Sequence, residues 1–106
     1  MTKISPQRIA LIESRFSELE ARMASGQLEG DAFVAASREY AELEPVAKAA
    51  VEVRRLRAEI ETLGVMAQDV SDPDLHAMAV EELDVVTQQL SGAETALAIS
   101  LLPRDS

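Results

Sequence analysis

Few side chains in this sequence of 106 residues could carry acid–base or metal chemistry. The chain has one histidine and no cysteine, so it offers neither a disulfide nor a thiolate metal site. Asp72 and Asp74 flank Pro73 shortly before His76, but two carboxylates in a turn are too few ligands for a hard cation. We interpret them as complements to the positive end of a helix dipole. We predict a structural role for His76 and expect neither a metal nor a cofactor.

The remaining polar residues form no recognisable catalytic arrangement. Glu81 and Glu82 are adjacent in the sequence, so on a helix they point to different faces and cannot act as the paired carboxylates of a glycosidase. The glycines are isolated from one another, which excludes a glycine-rich phosphate loop. Ser100 and the other hydroxyls have no base partner in a recognisable triad. We therefore predict that this chain is not an enzyme.

The formal net charge of −9 is distributed unevenly along the chain. Residues 1–57 hold nine basic and nine acidic residues, whereas residues 58–103 hold nine acidic residues and no lysine or arginine. Such a surface repels a nucleic-acid backbone, so we expect no binding to DNA. It attracts a basic protein surface instead.

The basic residues are concentrated at one place, which has two interpretations. Arg54, Arg55 and Arg57 follow Lys48 on the same predicted helix. They can cover apolar surface and pair with nearby glutamates, for which Glu52, Glu59 and Glu61 are the local candidates. Contact with RNA phosphates is the alternative. Two Phe, one Tyr and no Trp provide no aromatic platform for stacking bases.

Apolar spacing predicts an all-α fold built around a long antiparallel helical hairpin. Ser5-Pro6 is a helix start, and apolar residues at steps of three and four predict a helix over about 6–25. A second stripe predicts a short helix over about 31–44, which we expect Pro45 to end. Two longer stripes predict the arms of the hairpin, over about 45–70 and 73–101. No segment of appreciable length alternates with a period of two, so we expect no strands.

The apolar stripes of the two arms also predict how the arms align. If residues 71–72 form a tight turn, the numbers of facing residues sum to about 143, which pairs Val53 with Leu90. We expect the first helix and the short helix to pack on this hairpin. The three aromatic residues are assigned to the core: Phe16, Phe33 and Tyr40.

The chain is long enough for one domain. No apolar run is long enough to cross a membrane. The first three residues are not followed by the apolar stretch of a signal peptide. We therefore expect a cytoplasmic protein.

Three ordered segments resemble the N-terminal part of the bacterial peptide chain release factor 1 family. Residues 37–43, SREYAEL, resemble the family's SREYAxL segment. Residues 72–83 carry DPDL, MA and EL at the spacing of its DPEMxxMAxxEL helix. Residues 101–105, LLPRD, are similar to its LLLPKDPxD junction, where the N-terminal helical domain gives way to the rest of the factor. The similarity spans nearly the whole chain.

The resemblance implies one domain of a longer protein. The family binds the ribosome at a stop codon and triggers peptidyl-tRNA hydrolysis, but its Gly-Gly-Gln and Pro-x-Thr motifs do not occur in this sequence. We therefore expect residues 1–106 to form a single N-terminal helical domain, with the junction to the remaining domains at about 102–106. In the family this domain reaches toward the stalk base of the large ribosomal subunit, which implies ribosomal protein and RNA as partners. The recycling GTPase, release factor 3, is a further implied partner.

The resemblance turns the uneven charge into a hypothesis about a binding surface. Five acidic residues crowd the distal end of the predicted hairpin, where they would meet a basic stalk-base protein: Asp69, Asp72, Asp74, Glu81 and Glu82. The competing contact surface is the arginine group at 54–57, which would touch ribosomal RNA. A free-standing acidic helical adapter that shares only the architecture is the alternative function.

Overall fold

Three helices connected by short turns make up residues 4–103, the part of the chain that the computed structural model describes. They are α1 (Pro6–Ala24), α2 (Gly30–Gln68) and α3 (Pro73–Ser100). No strand occurs in this range, which confirms the predicted all-α class. The radius of gyration is 18.5 Å and the longest dimension is 62 Å. A compact chain of this length has a radius of gyration of about 13 Å, so the molecule is elongated.

The predicted starts of the first and last helices are confirmed by their caps. The Ser5 hydroxyl accepts a hydrogen bond from the Arg8 backbone N–H at 3.1 Å, immediately before Pro6. The Asp72 carboxylate accepts from the backbone N–H groups of Asp74 and Leu75, both at 3.2 Å. In each case a side-chain acceptor satisfies amides that have no partner within the helix, and a proline follows in the first helical turn.

The break expected at Pro45 is absent, and the predicted helices over 31–44 and 45–70 are one helix. α2 runs through Pro45 without interruption and ends at Gln68. Proline cannot donate the hydrogen bond that the carbonyl of Ala41 would otherwise accept. Ala41 and Pro45 are both exposed, so water can satisfy that carbonyl. The sequence prediction gave too much weight to the local cost of proline.

Helix α1 explains why α2 continues, because it packs across Pro45 and is held on both sides of it. Before Pro45, the Arg15 guanidinium donates two hydrogen bonds of 2.7 Å to the Glu39 carboxylate. After Pro45, Arg54 Nε donates to Glu13 at 3.0 Å. The pairing of increasing numbers in α1 with decreasing numbers in α2 shows that the two helices are antiparallel.

The aromatic pair between these helices has one predicted core member on each side. Phe16 and Tyr40 stack with ring centroids 4.7 Å apart and an angle of 22° between the ring planes, and both are half-buried. Phe33 does not join them: it is 43% exposed, so its assignment to the core is wrong. Phe33 lies near the start of α2. It precedes Glu39 and Tyr40, the residues at which Arg15 and Phe16 of α1 contact α2.

The hydrophobic core is a strip along α2 to which all three helices contribute. Nine of the residues that are less than 10% exposed form one cluster: Ile4, Ile9, Val46, Ala50, Val53, Leu56, Val86, Leu90 and Leu97. Val53 and Leu90 both belong to it, in agreement with the predicted alignment of the arms. Val70, which the sequence predicts as the last residue of the apolar stripe of the first arm, does not belong to it. α2 has already ended at Gln68, and the Val70 side chain is 71% exposed. Part of the junction predicted at 102–106 lies outside the described residues.

Candidate interaction surface

The turn that closes the hairpin is organised by two of the predicted site residues. The Asp69 carboxylate accepts hydrogen bonds from the Ser71 hydroxyl at 2.6 Å and from the Ser71 backbone N–H at 3.0 Å. Asp72 caps α3, as described above. The Ser71 hydroxyl and N–H hold the pKa of Asp69 below its ordinary value. Burial opposes them to a smaller extent, and the charge of His76 adds the smallest effect, which again lowers the pKa. These two acids therefore shape the turn as well as charging it.

We define the hairpin tip as residues 62–82, which comprise the end of α2, the turn and the first part of α3. All five predicted binding residues lie in it, and all five are exposed. Asp69, Asp72 and Asp74 lie in and beside the turn, whereas Glu81 and Glu82 follow about 12 Å farther along α3 at 1.5 Å per residue. None of the five forms an ion pair with another residue of 4–103.

His76 lies at the hairpin tip, near Asp69. The residue is half-buried, and its Nδ1 atom is buried with no hydrogen-bond partner in the described part of the chain. No group of three or more His, Cys, Asp or Glu side chains within 4–103 is arranged to hold a metal ion.

The tip also carries an apolar recess that the sequence analysis did not find. Its volume is about 250 Å³ and its lining comes from both arms of the hairpin: Leu63, Met66, Leu75, Met78, Ala79 and Glu82. Met78 is 62% exposed and Leu75 is 39% exposed. Neither residue falls on the apolar stripe predicted for this helix, which begins with His76, Ala79 and Leu83. An off-stripe methionine in the second turn of the helix was the available signal.

The arginine group does not present three free cations, because each guanidinium already contacts a carboxylate. Arg54 binds Glu13 of α1 at 3.0 Å. Arg57 binds Glu94 of α3 at 2.7 Å, with both side chains only 20% exposed. Two of the local partners predicted for the basic group are confirmed, and both bind Arg55: Glu52 at 2.6 Å and Glu59 at 3.3 Å. The remaining candidate, Glu61, pairs with none of the three arginines.

The pair between Arg57 and Glu94 agrees with the alignment of the hairpin arms. Side chains on a helix lean toward the N-terminus of that helix. In an antiparallel pair Arg57 therefore leans toward the level of Val53, and Glu94 leans toward the level of Leu90. Local sequence spacing could not reveal this pair, since its members are 37 residues apart.

Within residues 4–103, none of the helices combines the length and the apolar character that crossing a membrane requires.

Comparison with known proteins links this chain to one family. The PCRF domain profile matches residues 12–106. A peptide chain release factor 1 of Zymomonas mobilis is 56% identical over 106 residues, covering 100% of this chain and 29% of the relative. Those of Novosphingobium aromaticivorans and Erythrobacter litoralis are 52% and 53% identical over 103 residues, covering 97% of this chain and 28% of each relative. No solved structure matches the chain.

Proposed function

This chain belongs to the peptide chain release factor family, and from that membership we propose that it is the N-terminal ribosome-docking domain of a factor that directs translation termination in the cytoplasm. It spans 28–29% of the length of the relatives it matches. In this proposal the domain binds and positions the factor and carries no catalysis of its own. The absence of adjacent glycines from the sequence supports that division, because the family's hydrolytic tripeptide begins with two of them.

The observation that carries the proposal is the contrast between paired arginines and unpaired acids. Arg54, Arg55 and Arg57 are each within 3.3 Å of a glutamate, so their charges are largely neutralised within the domain. The acids of the hairpin tip have no such partners within 4–103. Asp69 and Asp72 also shape the turn, whereas the carboxylates of Asp74, Glu81 and Glu82 have no ion pair within 4–103. Unpaired negative charge of this kind selects a basic surface. The contact supported best is a basic protein at the stalk base of the large ribosomal subunit.

The proposal is tested by the binding of this chain to purified large ribosomal subunits. We expect binding that weakens as salt increases, since exposed charges are screened. The substitution Glu81→Lys should slow association about threefold and reduce the salt dependence, because a charge at the rim of an interface acts mainly on the association rate. Glu81 is preferable to Asp72 for this purpose, because Asp72 also caps α3. Stopped-flow association at several salt concentrations gives both quantities.

The matched control reverses an acid outside the tip. Glu42→Lys makes the same change of charge at an exposed position in the first half of α2 and should leave the association rate unchanged. Equal rates for the wild type and Glu81→Lys would leave the acidic tip as a determinant of solubility only. If purified large subunits do not bind the chain, the free-standing adapter is the better interpretation.

A second variant separates contact with protein from contact with RNA. Arg55→Ala suits this purpose because both partners of Arg55 lie in α2 itself, so the change breaks no link between helices. If the arginine group contacted ribosomal RNA, Arg55→Ala would lower the salt dependence by the contribution of about one phosphate contact. We expect no such change. The proposed contact surface would be overturned if the salt dependence of binding fell for Arg55→Ala and stayed unchanged for Glu81→Lys.

A further inference from the structure

The apolar recess of the hairpin tip carries more information about the partner than the charge does. Charge alone selects any basic surface, including one without apolar side chains. The recess lies between the two arms, next to exposed acids, and Glu82 forms part of its lining. Met66 and Met78 contribute flexible, polarisable side chains to it, and methionine surfaces adapt readily to an apolar group of a partner.

Apart from His76, which follows Leu75 in the sequence, the charged residues around the recess are acidic. Residues 58–103 contain no lysine or arginine, and the acids nearest the recess in the sequence are Asp74, Glu81 and Glu82. An occupant therefore has to be basic around an apolar centre. A basic amphipathic helix has this combination, because one face carries the apolar anchors and its flanks carry the cations.

Two other occupants fit these observations less well. A second copy of the chain would bring two acidic tips together, and each copy has a formal net charge of −9. The far end of α3 is about 32 Å from Ala79 of the recess, at 1.5 Å per residue along the helix to Ser100. A segment following α3 would have to run back along the length of the hairpin to fill the recess.

We propose that the recess of the hairpin tip is the docking site for a basic amphipathic helix of a partner protein. An apolar side chain of that helix enters the recess beside Met78, while flanking lysines or arginines meet Asp74, Glu81 and Glu82. This inference rests on the proposed function, since it specifies the chemistry of the protein that the domain meets on the ribosome. The binding free energy of such a helix has an apolar part, which salt does not screen, and an ionic part, which salt does screen.

The experiment compares two equally exposed apolar residues of α3. Met78 and Ile99 are each 62% exposed, but only Met78 lines the recess. Binding of the 106-residue chain is measured to purified large ribosomal subunits and to a synthetic amphipathic helix of lysine and leucine. An analogue with serine in place of leucine serves as the peptide control. Circular dichroism and urea unfolding of each variant establish that its fold is intact.

We expect Met78→Ser to weaken binding to both probes about tenfold, the loss typical of one apolar side chain withdrawn from an interface. The slope of log Kd against log salt should stay unchanged. Ile99→Ser should bind within about twofold of the wild type, and Met78→Leu should restore binding because it keeps an apolar side chain of similar size. The lysine–serine peptide should bind more weakly than the lysine–leucine peptide and show no dependence on Met78.

The two probes distinguish failure of this inference from failure of the proposed function. Large subunits that bind wild type and Met78→Ser equally would overturn the recess as a docking site and leave ribosome docking in place. If the lysine–leucine peptide binds in a way that depends on Met78 but large subunits do not bind the chain, the result would support the recess and overturn the proposed function. A dimer in sedimentation that Met78→Ser converts to a monomer would identify a second copy as the occupant and overturn the inference.

Discussion

The end of the hairpin that α1 covers, which we call the base, differs from the tip in how its apolar and charged side chains are arranged. In the base, where α1 lies on α2, residues such as Val53, Leu56 and Leu97 are at most 1% exposed. Three ion pairs join different helices there. In the tip, Ala79 is the only buried residue of 62–82, and no ion pair between described residues involves a tip residue. Buried side chains and ion pairs between helices stabilise the base, whereas most side chains of the tip are exposed and can contact a partner.

The difference follows from the number of helices at each level. Two helices side by side can bury only the narrow seam between them, and a third helix is needed to cover more of α2. α1 covers α2 from the level of Glu61 to that of Glu39 and does not reach the turn. The tip is therefore the region of the described chain whose sequence can change for binding at the smallest cost in folding.

The largest expected difference between the two regions is in the stability lost when one leucine is removed from each. Leu56→Ala in the base should lower the free energy of unfolding by about 2–5 kcal/mol, because the side chain is fully buried and leaves a cavity. Leu75→Ala in the tip should cost less than about 1 kcal/mol, because the side chain is 39% exposed. Urea unfolding monitored by circular dichroism measures both. Equal losses would show that the tip supports the fold as much as the base does.

The next effect concerns the proline within α2. Pro45→Ala should raise the free energy of unfolding by up to about 3 kcal/mol, since alanine restores the hydrogen bond to the Ala41 carbonyl and suits the helix interior better. The denaturant dependence of unfolding should stay the same, because α1 already holds both sides of Pro45 in one helix. A loss of stability would instead indicate that Pro45 begins a separate helix, where proline is favoured.

The smallest effect is on acid unfolding, and it compares one carboxylate from each region. Hydrogen bonds from Arg15 hold the pKa of Glu39 below its ordinary value, as those from Ser71 do for Asp69. A carboxylate whose pKa is lower in the folded than in the unfolded chain stabilises the fold at any pH above its unfolded pKa of about 4. This stabilisation is lost as the pH falls through the folded pKa. Glu39→Gln and Asp69→Asn should each flatten the loss of stability below about pH 4.

Urea midpoints measured between about pH 2 and 6 test this expectation. The substitution Ser71→Ala separates the turn from the carboxylate, because it removes one donor and should move the pKa of Asp69 back toward its ordinary value. If the urea midpoints of all three variants fell with decreasing pH as those of the wild type do, the assignment of these hydrogen bonds would be contradicted.

Features encoded locally were predictable from the sequence, and features that depend on distant residues were not. Ser5-Pro6 and Asp72-Pro73 mark helix starts because a cap and its amides lie within three residues. Continuity through Pro45 depends on α1, which contacts α2 both before and after it. The same distance explains why the partners of Arg54 and Arg57 were missed, since they lie 41 and 37 residues away.

The candidate site was predictable in its charge but not in its shape. A count of acidic and basic residues located the acidic half of the chain, because net charge does not depend on the path of the backbone. The recess requires Met66 and Met78 to meet across the turn, and apolar periodicity identifies only the residues that face the core. The sequence therefore indicates where a partner of opposite charge would bind, and the structure adds how its apolar side chains could be received.

The stack of Tyr40 on Phe16 gives the molecule a single optical reporter in a known place. The chain has one tyrosine and no tryptophan, so its near-ultraviolet dichroism and tyrosine fluorescence arise mainly at the contact between α1 and α2. Burial, together with the neighbouring carboxylates of Glu20 and Glu44, raises the pKa of the Tyr40 phenol. Detachment of α1 would change this signal directly, while events at the distant tip would leave it unaltered. Spectroscopy of the unlabelled protein can thus follow the docking of one helix independently of binding at the other end.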